Sequence, residues 1–541
     1  MKKFSQLFIL ISSIIYIYFS STYSCFAQEE NMNIYQSPDY SSNKKIKFEL
    51  FYENKELDYY SNFDKDIFTY DYSKIPGVLT FRGDNYRSSS SYGTIKENPK
   101  TLSIMNRFTT SYLTWGGGAG WTGQPLIVQW PNSTLKHMNV YKEFKESPDF
   151  IEVICVSLDG HIYFFDLFSG KPSRDPINIE NPIKGTPSID SRGYPLLYVG
   201  QGLSETGKIG YRIYSLIDNS LLLFINGRDK LAFRGWGAFD SSPLLDRKND
   251  TLLLCGENGL FYNIKLNTNY NSQEGTISIS PEIIKLRYSS NNIKRQGIES
   301  SPATYKNYLY FADNSGTIVC LDLRTLNPIW VNNNLDDTDA TITIDVEDDV
   351  PYLYCANEVD HQGEYGNVYI RKYNGFNGFL TLQKTIPAYS ILGNNPINGG
   401  ALSTNIIGKK NLSDTVIFSI ARYKTMNGGL LIALDKNTFE EKWRIESPYY
   451  SWSSPVAVYT KDGEGYIINC DSIGNVQLID GKTGKIIDTI NLEGNIESSP
   501  AVFNNTIVVP SRNGNIYFLK IESENPKIKW TINSGQWTTF F

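Results

Sequence analysis

Four carboxylates of this chain stand at one place in a repeated phrase. Asp240 in FDSSPLL, Glu299 in IESSPA, Asp339 in DATI and Glu497 in a second IESSPA each lie three residues before the Pro or Ile that anchors the phrase. If the phrases sit side by side, Asp240, Glu299 and Asp339 converge, and converging carboxylates are costly unless a cation, an amine or shared protons compensate. Two chemistries follow: calcium held by Asp336, Asp337 and Asp339 of the run Asp336-Asp337-Thr338-Asp339, or capture of a cationic ligand such as a basic peptide segment. The opposing reading makes each carboxylate a cap on loop amides. The run lacks the D-x-D-x-D-G order of an EF-hand loop. Glycine-flanked tryptophans accompany the acids: Trp121 in WGGGAGWTGQP, Trp236 in FRGWGAFD and Trp452 in YYSWSSP. They suit stacking on a sugar, a quinone or a peptide ring, or plugging of a funnel. Arg234 and Arg295 precede two of the acids and could neutralise them.

Other catalytic constellations are missing from the sequence. The three histidines (His137, His161, His361) show no H-x-x-H or H-E-x-x-H spacing, and there is no C-x-x-C, so zinc is unsupported. Neither G-x-S-x-G nor a phosphate-cradling loop occurs. Cys155, Cys255, Cys320, Cys355 and Cys470 lie in apolar strand-like stretches, which implies buried, inert thiols.

The phrase itself identifies the elements that position these residues. Further copies occur as WSSPVA, KGTPSI and TGQPLI. Each is followed by an apolar strand, a turn, a second strand ending near Gly, and a third ending in an Asp-containing turn such as Asp480-Gly-Lys-Thr-Gly484. A fourth strand carries Trp330, Trp443 or Trp530. Asn513-Gly514, and its equivalents Asp159-Gly160, Asn258-Gly259 and Ser315-Gly316, predict tight type I′ hairpins with both central residues at positive φ. Four short antiparallel strands recurring every 40–60 residues predict an all-β protein, a β-propeller of four-stranded blades. Its anchors are Pro125, Pro187, Pro243, Pro302, Ile342, Ala401, Pro455 and Pro500, which gives eight blades, with seven as the alternative count. The residues three before them, expected at the channel mouth, are Thr122, Lys184, Asp240, Glu299, Asp339, Asn398, Trp452 and Glu497.

Residues 1–27, with Lys2, Lys3, an apolar run and Cys25-Phe26-Ala27, have the form of a secretory signal. A lipid anchor on Cys25 is the competing reading, opposed by Thr22 where a lipobox wants Leu. Residues 28–75 form a polar, Tyr-rich leader without the repeat, and 76–541 form the propeller, with 76–111 placed to close the ring against the last blade. Loss of the signal takes the formal charge from −6 to −8. An acidic chain without a Lys/Arg run is not built for nucleic acid. The expectation is an exported monomer, periplasmic or extracellular, with no integral membrane segment in the mature chain.

Blades ending in a D-x-x-T turn, followed by Gly at Asp480–Gly484 or by a Trp at Trp330 and Trp443, the SSP starts, and Phe81-Arg82-Gly83-Asp84 with Arg87 resemble the PQQ-like β-propeller repeat proteins of bacterial envelopes, over about residues 78–533. That family includes quinoprotein dehydrogenases holding pyrroloquinoline quinone (PQQ) and calcium, and non-catalytic members, similar to the outer-membrane assembly lipoprotein, that bind proteins. The adjacent Cys-Cys pair of the dehydrogenase pattern does not occur in this chain. The sequence therefore points to a non-enzymatic binding or scaffold protein without PQQ, whose channel mouth takes an envelope protein or small ligand. A PQQ- and calcium-dependent oxidoreductase is the alternative, and a carbohydrate-active or lyase-type propeller a third.

Overall fold

The computed structural model describes residues 46–62, 67–121, 123–202, 207–290, 296–393 and 396–523; the signal segment, Cys25, Thr122, Arg295 and Trp530 lie outside them. Eight antiparallel sheets follow one another around a ring. Their innermost strands are Leu126–Val128, Ser188–Ile189, Leu244–Asp246, Ala303–Tyr305, Thr343–Glu347, Ile406–Ile407, Val456–Tyr459 and Ala501–Phe503. The chain is thus an eight-bladed β-propeller.

Both faces of a middle strand are buried, which explains why these strands read as continuous apolar runs rather than alternating ones. In Thr317–Asp322, Val319 and Leu321 pack toward blade three while Ile318 and Cys320 pack toward blade five. The core is accordingly divided into eight clusters, one between each pair of neighbouring blades. All five described cysteines are free and buried, four of them in the second strands of alternate blades.

The SSP phrase tethers one blade to the next. Its second hydroxyl accepts the backbone N–H of the matching residue one blade back: Ser242 N–H to Ser301 Oγ (2.9 Å), Ser301 to Thr341 Oγ1 (2.9 Å), Thr341 to Thr404 Oγ1 (3.0 Å), Thr404 to Ser454 Oγ (2.9 Å) and Ser454 to Ser499 Oγ (3.1 Å). Gln124 does the same to Thr186 Oγ1 at 2.9 Å. This ring of hydrogen bonds satisfies amides that have no ladder partner.

Four sequence expectations are corrected. The inner strand of blade six is Ile406–Ile407, so Asn405, not Ala401, occupies the anchor position, and Leu402 replaces Asn398 at the mouth. The hairpin turns carry positive φ only at Gly160, Gly259, Gly316 and Gly514. Gly514 N–H bonds Ser511 O and Ser511 N–H bonds Asn515 O, a type I turn followed by a left-handed Gly, which lets Asn513 keep a right-handed conformation. The outer strand of blade eight is Thr101–Thr109, paired antiparallel with Asn515–Glu522. It occupies the place expected for the Trp530 strand and closes the ring. Part of the leader also belongs to a blade: Ile46–Tyr52 and Lys55–Leu57 form a hairpin on the outer edge of blade three, fixed by Arg287 to Glu49 at 2.8 Å.

The FRGD stretch forms the floor of the channel. Gly77–Val78 pairs with blade one, and Ile189 N–H of blade two donates to Leu79 O. Thr304 N–H of blade four donates to Asn85 O and Ile344 N–H of blade five to Tyr86 O, while Ser91–Tyr92 pairs with blade eight. Arg82 and Arg87 are fully buried. Arg82 donates to Asn405 O of blade six and Pro455 O of blade seven. Arg87 donates to Ser242 O of blade three and Pro302 O of blade four. A planar guanidinium suits this role because its fixed donors reach several carbonyls together.

Candidate functional site: an acidic channel mouth

The loops that join one blade to the next, and the turns between second and third strands, gather at one end of the channel, its mouth. There Trp121, Asp240, Glu299, Asp339, Leu402 and Trp452 surround a cavity of about 10 Å³ above Phe81, room for a single water-sized particle. Five of the seven positions expected to bind at the mouth therefore line one cavity. The other two stand apart. Trp236 is 40% exposed and donates from Nε1 to Glu257 Oε2 at 2.6 Å. Glu497 accepts from Asn495 Nδ2 at 2.8 Å and faces Arg512 at 3.7 Å. Burial pushes the Glu497 carboxyl above its usual range, against the lowering effect of Arg512.

Around the cavity the carboxylates form two groups of three. Asp240, Glu257 and Glu299 come from blades three and four, Asp337 and Asp339 from the start of blade five, and Glu358 from the short strand Glu358–Val359 that follows the second strand of blade five and pairs with Gly399–Gly400. Within each group one oxygen per residue lies within 4.8 Å of the others. Asp336, expected to share a cation with Asp337 and Asp339, is turned away. It accepts the backbone N–H groups of Asp360 and His361 (both 3.0 Å) and pairs with His361 Nδ1 at 2.7 Å. Sequence reading missed Glu257 and Glu358. Each follows a second-strand cysteine by two or three residues, in CGENG and CANE, where the strand ends at the mouth.

Electrostatics set the two groups apart. Burial, then the charges of Glu299 and Asp240, drive the Glu257 carboxyl well above the carboxylate range. Burial and Asp339 act likewise on Asp337 and Glu358, and burial with Glu299 on Asp339. Lys184 pairs with Asp240 and lies 5.7 Å over the Trp121 ring. Burial alone would lower its pKa, but Asp240, Glu257 and Glu299 hold the ammonium above its ordinary range. Asn314 Nδ2 bridges the groups, donating to Glu299 at 2.9 Å and to Asp337 and Asp339 at 3.4 Å. Arg234 reaches Asn314 Oδ1 at 3.3 Å. Asp240 Oδ1, Glu257 Oε1, Asp337 Oδ1 and Glu358 Oε1 are buried and accept no hydrogen bond.

Comparison with solved structures finds this arrangement of blades elsewhere. Quinohemoprotein alcohol dehydrogenase ADHIIG from Pseudomonas putida HK5 superposes with a TM-score of 0.54 at 10% identity, over 83% of this chain and 81% of that one. The Comamonas testosteroni quinohemoprotein alcohol dehydrogenase gives 0.53 at 10%, with the same coverage. What they share with this chain is the fold. BamB from Moraxella catarrhalis matches with a TM-score of 0.46 at 16% identity, over 77% of this chain and 99% of its own. No family model and no curated protein matches the sequence. Among the described residues no helix is long and apolar enough to cross a membrane.

Proposed function

We propose that this chain is an exported, non-enzymatic propeller that binds an envelope protein or small ligand at the acidic, Trp-lined channel mouth. The observation that carries this reading is a set of exposed aromatic and aliphatic side chains on the mouth face, alongside others such as Ile104, Phe168 and Leu221 scattered over the rest of the surface. Trp115, Phe233, Trp236, Leu335, Tyr365 and Leu392 are each at least 40% exposed, and all lie on loops or strand starts of the mouth face, around the carboxylates. Soluble proteins rarely leave such a patch open unless something docks there. A cavity of about 10 Å³ floored by Phe81 supports a binding face over a pocket for a tricyclic quinone.

Trp115→Ser with Leu335→Ser should reduce capture of envelope proteins by the purified mature chain about tenfold or more, in line with the loss of two central apolar anchors. Phe168→Ser, on a turn at the opposite face, should leave capture unchanged. Equal capture by both variants would sink the mouth as the docking face. Mass spectrometry of the secreted or periplasmic chain should place its first residue just after Ala27.

A further inference from the structure

We propose that the floor end of the channel carries a second binding site, a tyrosine-lined bowl that takes a short, neutral oligosaccharide. It lies at the opposite end from the acidic mouth, so it stands or falls independently of the role proposed there.

The bowl holds about 760 Å³, against about 10 Å³ at the mouth. That is within the range of roughly 300–1,000 Å³ that small-ligand sites occupy. Its lining comes from three places: residues Gly83 to Tyr92 of the floor segment, the stretch from Phe68 to Gly77, and the first hairpins of blades four and five at Tyr305, Lys306, Val346 and Asp349. The first two lie outside the eightfold repeat, so eight blades alone would not build this bowl.

Charge narrows the class of ligand first. Asp71, Asp84 and Asp349 line the bowl with Lys74 and Lys306, and Lys409 stands 4.0 Å from Asp84. Three carboxylates and three ammonium groups carry no net charge between them, so nothing here selects a phosphate, a carboxylate or an amine. Groups that can bond a ligand are nevertheless open. Among the described residues, the hydroxyls of Tyr86 and Tyr92, the carboxylate of Asp71 and the ammonium of Lys74 have no hydrogen-bond partner.

The aromatic rings are held in place without those hydroxyls. Tyr92 stacks one face on Phe503, with centroids 4.9 Å apart, and is 39% exposed, so its other face is open. Tyr86 leans on Tyr305 at 6.2 Å; Tyr305 in turn packs on Phe376 at 6.0 Å and donates its hydroxyl to Asp349 O at 3.1 Å. Asp84 accepts Ser88 N–H at 2.9 Å and the Ser89 hydroxyl at 2.6 Å. A tyrosine face attracts the polarised C–H bonds on the flat side of a sugar ring, while free hydroxyl, carboxylate and ammonium groups match its hydroxyls as donors and acceptors. A wholly apolar ligand would leave those polar groups unpaired. Because rings and Asp84 are fixed before binding, little side-chain freedom is lost on capture.

The experiment is calorimetric titration of the purified mature chain with cellotriose, maltotriose and triacetylchitotriose, and with sulfated cellotriose as the charged comparator. Binding of at least one neutral trisaccharide is expected, with the sulfated sugar weaker than its parent. Tyr92→Ala should weaken that binding about tenfold, by removing the open ring face. Tyr86→Phe keeps the ring packed on Tyr305 and removes only the hydroxyl, and should weaken it about threefold. Trp115→Ser with Leu335→Ser, at the mouth, should leave it unchanged. Absence of heat with all three neutral sugars would overturn the proposal. So would tighter binding of the sulfated sugar, binding that both bowl variants leave intact, or binding lost in the mouth variant.

Discussion

Asp313 shows what a single buried carboxyl does in this ring. It sits in the turn after the second strand of blade four, fully buried, accepting the N–H groups of Ser315 (2.9 Å) and Thr317 (2.7 Å) and the hydroxyl of Tyr288 from blade three (2.8 Å). Burial outweighs these bonds and pushes its pKa up to about 7. In the unfolded chain an Asp titrates near about 4. Between those values the folded state holds a proton that the unfolded state has lost, so stability falls as pH rises through this window. Asp313→Asn should remove that fall: the urea-unfolding free energy of the variant relative to the parent should climb from pH 4 to pH 7 and level off above it. A difference that stays flat across the window would refute the assignment. Arg82 and Arg87 are the converse case. Burial lowers both to about 10, still high enough to remain charged, and carbonyls rather than carboxylates surround them.

At the scale of elements, the D-x-x-T-G turn and the outer-strand Trp belong to one joint. Asp480 Oδ1 accepts the N–H groups of Lys482 (3.1 Å) and Thr483 (2.8 Å), which fixes the turn between the third and fourth strands of blade seven. Trp443, on the outer strand of blade six, donates from Nε1 to Gly481 O of that turn at 2.9 Å. Trp330 repeats the contact from blade four to Gly375 O of blade five at 2.8 Å. Gly484 is therefore constrained twice, by φ of +72° and by the Trp443 ring, 2.7 Å from where a Cβ would stand. Gly484→Ala is expected to cost about 2 kcal/mol or more. Gly207→Ala, also at positive φ but with nothing within 4 Å, should cost less because only the backbone is strained. Urea midpoints at unchanged m-value make the comparison, and equal losses would mean that the joint contributes nothing.

The ring is closed by an N-terminal segment, residues 77–109. Thr101–Thr109 completes blade eight, and the segment from Gly77 to Tyr92 touches the inner strand of blade after blade, so these residues tie the first and last repeats into one cooperative ring. The hairpin at Ile46–Leu57 only adds to a blade that already has four strands. A chain starting at residue 67 should therefore unfold in a single transition close to the parent's midpoint. Ser103→Pro with Ile104→Pro should lower that midpoint sharply, because one of two adjacent residues in an antiparallel ladder must lose a bonded N–H, reopening the edge that closure removes. Differential scanning calorimetry of the two variants checks both statements; a larger loss from the truncation would reverse the roles assigned to hairpin and closing strand.

The eightfold repeat, the all-β class, the inert cysteines and the convergence of Asp240, Glu299 and Asp339 with Trp121 and Trp452 were legible in the sequence. They follow from local rules: strand composition, turn residues, and a register that the SSP phrase repeats at each blade start. The anchor of blade six was misplaced because Asn405 replaces the proline that marks most other blades. What the tertiary structure alone decided depends on residues far apart in the chain. Glu257 and Glu358 enter the site from just past second-strand ends, Asp336 leaves it for His361, Thr101–Thr109 takes the outer place in the last blade, and FRGD closes the channel beneath Phe81. No spacing encodes these placements, since each is set by which buried donor or edge is left unsatisfied once the eight blades have met.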